Sequence, residues 1–226
     1  MDGSPSFSES LRELAEPLWK TIHAHPFVTG IGDGSLPEDR FRFYMRQDYL
    51  FLIEYSRVTA LAVAKAPHLE DMGRFADLLN ATLNTEMDLH RGFAAKFGIS
   101  AEEFETTRHA PACRAYTDYL LTVAHAGTFA EVAAAMLPCQ WDYALIGEEL
   151  SARGAPANAP LYAEWIEMYA SVDFARLAAW LRGILDRAAG EAGPAERDRM
   201  RAHFMTCTRY EYMFWEMCWR MEEWPL

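Results

Sequence analysis

The chain has 226 residues, of which 51% are hydrophobic, enough for one domain with a substantial core. A formal net charge of -12 without a basic block excludes nucleic acid and anionic membranes as expected partners. Apolar runs stay shorter than the roughly 20 residues that a membrane span needs, and residues 1–10 lack the pattern of a signal peptide. The four cysteines include no C-x-x-C pair, so we expect reduced thiols and a cytoplasmic protein.

Apolar residues recur at helical spacing from the first segment onward, and no stretch of the sequence alternates as a β-strand would. We predict a first helix from Leu11 to His23, capped by Ser6 or Ser8. The glycine-rich stretch Thr29–Ser35 follows no strand and lacks the lysine of a phosphate-binding loop. We therefore interpret it as a tight turn.

The rest of the chain predicts further helices. They cover about 36–65, 69–97, 112–126, 129–153, 161–170, 174–189 and 194–219. Capping boxes are predicted at Ser100 with Glu103 and at Thr128 with Glu131. Because no segment repeats and no linker divides the chain, residues 1–226 are predicted to form a single all-α domain, a bundle of about eight helices.

The predicted helix 129–153 contains an unusual stretch around Cys139. Pro138 lies in the helix interior, where proline removes one backbone hydrogen bond and costs about 3 kcal/mol, so we expect a helix break there. Cys139 follows directly, and Tyr143 shares its helix face. A free cysteine is usually a small buried hydrophobic residue. A thiol next to an interrupted helix and a tyrosine is alternatively a nucleophile.

A carboxylate lies among the rings of the predicted helix 36–65. Asp48 shares a face with Phe51 and Tyr55. Asp48 is either solvated on the outer face or buried, and a buried carboxylate needs a donor such as a ligand amine.

A second carboxylate, Glu211, lies in the last predicted helix with Phe214 and Trp215 at spacings of three and four residues. One interpretation pairs Glu211 with Arg209 or Arg220 at the surface. The other buries it among the rings, where desolvation raises its pKa toward that of a proton donor.

Histidines raise the question of a metal or haem. Glu86 and His90 have the spacing of metal sites in helical bundles, but no matching pair is present on another predicted helix. Hydrogen bonding that ties two helices together is therefore the favoured role. His23 and His25 could ligate haem iron, although His25 precedes Pro26 and should lie outside the helix.

Several short motifs are weak signals on their own, but their order and spacing together are a specific signal. They comprise His25–Val28, Gly30–Pro37, Tyr44, Gln47–Asp48, Glu86–Met87, Leu89–His90, Leu137–Cys139, Trp141, Tyr143, Tyr210–Tyr212 and Phe214–Trp215. Together they resemble the TenA family, thiaminase II, and the match extends from His25 to Trp224. The resemblance implies a haem-oxygenase-like all-α fold without haem, usually assembled as a homotetramer.

The resemblance also implies a reaction. The family hydrolyses the exocyclic C–N bond of 4-amino-5-aminomethyl-2-methylpyrimidine, and that of thiamin, to give the hydroxymethylpyrimidine of thiamin salvage. The nucleophile falls on Cys139, the acid/base on Glu211 and the pyrimidine-binding carboxylate on Asp48. The other substrate-binding residues are Phe51, Tyr116, Tyr143, Tyr169 and Phe214. No metal or organic cofactor is expected, because the thiol, the acid and the rings suffice for this route.

One position departs from the family pattern. Many members carry a tyrosine where this chain has Phe51, so stacking on the pyrimidine is kept while a hydroxyl hydrogen bond is lost. Two alternatives stay open: a di-metal oxidase on the same fold that uses Glu86 and His90, and a non-catalytic regulator or assembly partner that binds a pyrimidine.

Overall fold

The structure, a computed structural model, describes residues 5–225 and every side chain in that range except those of residues 85, 86 and 89. This part of the chain forms eleven α-helices and one π segment, without a strand. The helices are α1 Phe7–His23, α2 Pro26–Asp33, α3 Glu38–Lys65, α4 Leu69–Ala81, α5 Met87–Lys96, α6 Ala101–Thr106, α7 Pro111–Ala126, α8 Phe129–Arg153, α9 Pro160–Tyr169, α10 Val172–Glu191 and α11 Pro194–Arg220. The π segment is Thr82–Glu86. The all-α prediction is confirmed.

Helix α8 lies at the centre of the bundle, packed most extensively against α11 and α10. Each residue from Val132 to Leu137 is at most 1% exposed. A helix that is apolar all round is expected to be buried on all sides. The helix begins at a capping box of Thr128 and Glu131, as predicted, and it ends before Gly154. The residues around Cys139 are therefore held in the middle of the core.

Helix α8 continues through Pro138, so the break expected there is wrong. Pro138 and its neighbours Leu137 and Trp141 are buried. Burial of large apolar side chains, at about 25 cal/mol per Å², offsets a proline cost of about 3 kcal/mol. Tertiary packing thus overrides the local preference.

The glycine-rich stretch is also helical, which corrects the predicted turn. Helix α2 begins with Pro26 in its first turn, and the His25 side chain caps it by accepting a hydrogen bond from the Phe27 amide at 3.1 Å. Proline is favoured at this position because its missing donor is not needed there. The helix ends at Gly34, whose φ of 76° lies in the left-handed region. Burial of Phe27 and Ile31 outweighs the cost of interior glycines.

The single helix predicted over 69–97 is three elements: α4, the π segment and α5. A π segment widens the helix turn and is frequent at functional sites. Helix α5 packs against α3, where the Nε2 atom of His90 lies 3.2 Å from the Oδ2 atom of Asp48. The His90 side chain is thus aimed at one of the predicted substrate-binding residues.

The first cap is at Ser6, whose side chain accepts from the Glu9 amide, so α1 starts four residues before the predicted Leu11. The second capping box, Ser100 with Glu103, is confirmed. The buried apolar side chains form one continuous cluster that includes residues of α1, α3, α8 and α11. No helix in the described part of the chain is long and apolar enough to cross a membrane.

Candidate active site

Cys139 lies in the middle of α8 and is a partly buried residue packed against the core. Burial raises its pKa well above the usual range, and the negative charges of Glu211 and Asp48 raise it further. In the free protein the thiol is therefore protonated at neutral pH.

Glu211 of α11 is 2% exposed. Its Oε1 atom accepts a hydrogen bond of 2.5 Å from the hydroxyl of Tyr116 on α7. Burial raises the pKa of Glu211 to about 8, against the hydrogen bond from Tyr116, which lowers it. The alternative surface pairing is wrong, because Arg220 instead pairs with Glu216 and Arg209 is exposed.

Asp48 of α3 is 8% exposed, so the solvated alternative is wrong for this residue as well. His90 contacts its Oδ2 atom, as described above. The charge of Asp48 contributes to the raised pKa of Tyr143 and of Tyr169, after the larger effect of burial. Asp48 therefore faces the same interior region as the rings of α8 and α9.

Aromatic rings form two groups around the thiol and the carboxylates. In the first, the ring centroid of Phe51 lies 5.1 Å from that of Tyr116 and 5.8 Å from that of Phe214. In the second, Tyr143 and Tyr169 are 4.9 Å apart. Both groups are in the range of favourable ring contacts.

Tyr44 joins the two groups of rings. It lies 6.2 Å from Phe214 of the first group, and its ring stacks on Trp215 at 5.6 Å. Trp215 in turn stacks on Tyr143 of the second group at 5.1 Å. The structure thus brings all eight predicted site residues into one contiguous region at the meeting point of α3, α7, α8, α9 and α11.

Sequence reasoning missed one buried charged residue next to this site. Asp142 of α8 is 0% exposed, and its Oδ1 atom lies 2.9 Å from the Nε2 atom of His23. An aspartate between Trp141 and Tyr143 in an apolar helix was the available signal. His23, considered above as a haem ligand, is the partner of this carboxylate.

The metal alternatives find little support in the described residues. The side chain of Glu86 lies outside them. His90 contacts Asp48, and the Nε2 atom of His25 lies 2.9 Å from Glu216. Among the described residues, no group of three or more His, Cys, Asp and Glu side chains could hold a metal ion.

The fold and the site define a class: an all-α protein with a cysteine and two carboxylic acids among aromatic rings in its core. Comparison with known proteins then gives the family. A sequence model of the TENA/THI-4/PQQC family matches residues 12–221, and the chain belongs to this family. The resemblance to TenA proteins is confirmed.

Relatives match over almost the full length. An aminopyrimidine aminohydrolase of Halalkalibacterium halodurans is 46% identical, over 97% of this chain and 98% of that protein. The solved TenA homologue of P. horikoshii OT3 is 32% identical with a TM-score of 0.88, over 96% of this chain and 99% of the other. A domain from Shewanella denitrificans described as having a heme oxygenase-like fold is 15% identical with a TM-score of 0.76, over 94% and 92%. That last likeness concerns the fold alone and confirms the haem-oxygenase-like prediction.

Proposed function

We propose that this protein is an aminopyrimidine aminohydrolase, a thiaminase II. It cleaves the exocyclic C–N bond of 4-amino-5-aminomethyl-2-methylpyrimidine, and of thiamin, to give 4-amino-5-hydroxymethyl-2-methylpyrimidine in thiamin salvage. The observation that carries the proposal is the meeting of Cys139, Glu211 and Asp48 among rings, in a chain 46% identical to a protein of that name.

Binding uses the rings and Asp48. A flat heterocycle gains affinity from rings such as Phe214 and Tyr143, which also keep water away. Asp48 holds the amidine-like edge of the pyrimidine by charge-assisted hydrogen bonds, each contributing about 1.5–3 kcal/mol. His90 contacts the same carboxylate and fixes its orientation.

The thiol is activated when substrate binds. The amine of the substrate is a cation, and a positive charge near Cys139 and Glu211 favours the anionic forms of both groups. Glu211 then accepts the thiol proton, a transfer suited to a carboxyl whose pKa of about 8 lies close to neutrality. The thiolate is the reactive nucleophile.

Addition, elimination, hydration and release follow in turn. The Cys139 sulfur adds to the ring carbon next to the one that bears the methylene, and Glu211 gives its proton to a ring nitrogen. The electron pair of the adduct expels the amine and leaves an exocyclic double bond. Water adds to that methylene and passes a proton to Glu211. The C–S bond breaks with its electron pair on sulfur, and the released thiolate takes the proton from the ring nitrogen. Glu211 passes its proton to the departing ammonia, and the alcohol is released.

The test is to incubate the purified protein with the aminomethylpyrimidine and with thiamin in parallel, following the hydroxymethylpyrimidine from both. We expect Cys139→Ser to fold and to lose turnover. Cys113→Ser is the matched control, because that buried thiol donates to the Gln47 carbonyl and a hydroxyl keeps the bond. Full turnover by Cys139→Ser would show that Cys139 is not the nucleophile. Tight binding without any product would indicate the regulator, and stoichiometric iron or manganese the oxidase.

The proposal extends to assembly and compartment. A homotetramer is supported by exposed apolar side chains such as Leu69 at 83% and Val172 at 65%, which an interface would cover. The four free cysteines support a reducing cytoplasm. Light scattering during gel filtration tests the assembly, since the tetramer has four times the mass of the chain.

A further inference from the structure

A chain of three side chains runs from the core to the surface beside the proposed active site. His23, the last residue of α1, places its Nε2 atom 2.9 Å from Asp142 and its Nδ1 atom 2.6 Å from the Oε2 atom of Glu149. Asp142 is 0% exposed, whereas the side chain of Glu149 is 38% exposed. The imidazole thus connects a fully buried carboxylate to one that reaches solvent.

The second oxygen of Asp142, Oδ2, is buried and has no hydrogen-bond partner among the described residues. A buried carboxylate with one free oxygen costs free energy, and a purely structural role would be served better by a neutral residue. Retaining Asp142 in the core, three residues after Cys139, therefore indicates that its charge is used.

The contact with His23 stabilises the negative charge of Asp142 in the core. Burial raises the pKa of Asp142, and the hydrogen bond from His23 opposes the increase. Burial also works against a charged His23, but its hydrogen bonds to Asp142 and Glu149 outweigh burial and raise its pKa. The contact of 2.9 Å between the two groups favours the charged form of each.

Charged and titratable groups from several helices lie near Asp142 or near its neighbour Trp141. On α1 and α8 these are His23, Glu149 and Cys139. From α10, the guanidinium of Arg182 lies 4.2 Å from the centre of the neighbouring Trp141 ring. From α11 the facing group is Glu211.

Glu211 has its own surroundings. Burial is the main cause of its raised pKa, Tyr116 opposes it by hydrogen bonding, and the negative charges of Asp142 and then Asp48 add to it. Burial also raises the pKa of the Cys139 thiol, and the negative charges of Glu211, Asp48 and Asp142 raise it further. Asp142 lies about one turn after Cys139 on α8, the helix that packs most extensively against α11 with Glu211, so its charge lies near both proposed catalytic groups.

We propose that Asp142, held by His23, is a positioning residue of the active site whose buried negative charge keeps Glu211 in its acid form until substrate arrives. The inference rests on the proposed function, because it gives Glu211 the role of the acid. His23 sets the strength of the effect, since it determines whether Asp142 is ionised. Glu149 links that ionisation to solvent.

The experiment removes the charge of Asp142 while keeping the shape of its side chain. In Asp142→Asn the amide oxygen still accepts from His23, so the contact at 2.9 Å is retained without the charge. Loss of a negative charge favours the ionised form of Glu211, so the midpoint of its titration should fall by about half a pH unit or more. The midpoint for alkylation of Cys139 by iodoacetamide should fall as well. Carbon-13 NMR of labelled glutamate, with Glu211→Gln for assignment, measures the first, and peptide mass spectrometry the second.

Asp71→Asn is the matched control, because Asp71 is also buried and is ion-paired with Arg187 between α4 and α10. It should leave both midpoints unchanged. If Asp142→Asn does not fold, His23→Asn takes its place: without the imidazole, buried Asp142 binds a proton, and both midpoints again fall. Midpoints of Asp142→Asn or His23→Asn that equal those of the unmodified protein, or lie higher, would overturn the proposal.

Both readouts are independent of turnover. If the protein hydrolysed neither pyrimidine but the midpoints fell, the proposed function would fail while the charge effect stood. If it hydrolysed the aminopyrimidine and the midpoints did not move, only this inference would fail. In the hydrolysing protein, the pH profile of kcat/KM for Asp142→Asn should shift in the same direction as the titration of Glu211.

Discussion

At the scale of single residues, the site depends on a carboxyl balanced between two opposing effects. Desolvation raises the pKa of Glu211 to about 8, while the hydroxyl of Tyr116 stabilises the anion through a bond of 2.5 Å. Phe51, which contacts Tyr116 at 5.1 Å, contributes a ring without a hydroxyl. The phenol of Tyr116 is therefore the group that keeps the pKa of Glu211 within reach of neutral pH.

Removing the hydroxyl of Tyr116 should raise the pKa of Glu211. In Tyr116→Phe the carboxylate of Glu211 loses a charge-assisted hydrogen bond of about 1.5–3 kcal/mol, so its pKa should rise by about one unit or more. Less Glu211 is then ionised at pH 7 to accept the thiol proton, and kcat for the aminopyrimidine should fall roughly tenfold. The pH dependence of kcat/KM measures the shift.

The control for this variant is Tyr210→Phe, because the ring of Tyr210 stacks on Tyr116 at 5.2 Å and is kept by the change. Its pH profile should match that of the unmodified protein. An unchanged profile in Tyr116→Phe would show that the hydroxyl does not act on Glu211.

At the scale of helices, Gly147 fixes how α9 meets α8. A β-carbon at this position would lie 2.4 Å from the backbone carbon of Tyr169 and 2.6 Å from the amide nitrogen of Ala170. Only glycine lets the two backbones approach so closely. One turn before Gly147, Tyr143 contacts the ring of Tyr169 at 4.9 Å. The glycine therefore sets the position of a predicted substrate-binding tyrosine.

Gly147→Ala should push the end of α9 away from α8. We expect the free energy of unfolding to fall by about 1–3 kcal/mol, as for other overpacked sites. We also expect KM for the aminopyrimidine to rise, because Tyr169 moves with the helix end. Urea unfolding and steady-state kinetics measure the two effects.

Gly183→Ala in α10 is the comparison, since the nearest atom to its added carbon is the tip of Arg187 at 3.9 Å. There alanine should stabilise the helix by about 0.5–1 kcal/mol and leave KM unchanged. Equal effects of the two alanine variants would show that the contact with Tyr169 does not position it.

The helices also show where sequence patterns stop being informative. Helix α8 was predicted with its observed bounds, because the capping box at Thr128 and the glycine at 154 are local signals. Helix α2 was missed because its stability comes from burying Phe27 and Ile31, which local glycine content does not reveal. The π segment was missed because it depends on how α4 and α5 pack against α3.

At the scale of the whole molecule, each candidate catalytic residue can be identified from the aromatic residues near it in the sequence. The sequence pattern does not show that these candidates lie together in the fold. Cys139 and Glu211 are 72 positions apart in the sequence, and only the packing of α8 against α11 brings them together. The resemblance to the TenA family, by contrast, predicts that Cys139 and Glu211 belong to one site. The contact between Asp142 and His23 joins two helices, α8 and α1, and no sequence motif indicates it.

Burial of Glu211 should make the stability of the whole protein depend on pH. Its pKa is about 8 when folded and 4.5 in the unfolded chain, so the folded state binds the proton more tightly. The resulting stabilisation is complete below pH 4.5 and is lost as pH rises through about 8, at most about 5 kcal/mol in total. Glu211→Gln stays neutral throughout, so its free energy of unfolding should fall less than that of the unmodified protein between pH 5 and pH 9. Urea unfolding at these two pH values measures the difference, and parallel pH dependences would mean that Glu211 ionises as freely in the folded protein as in water.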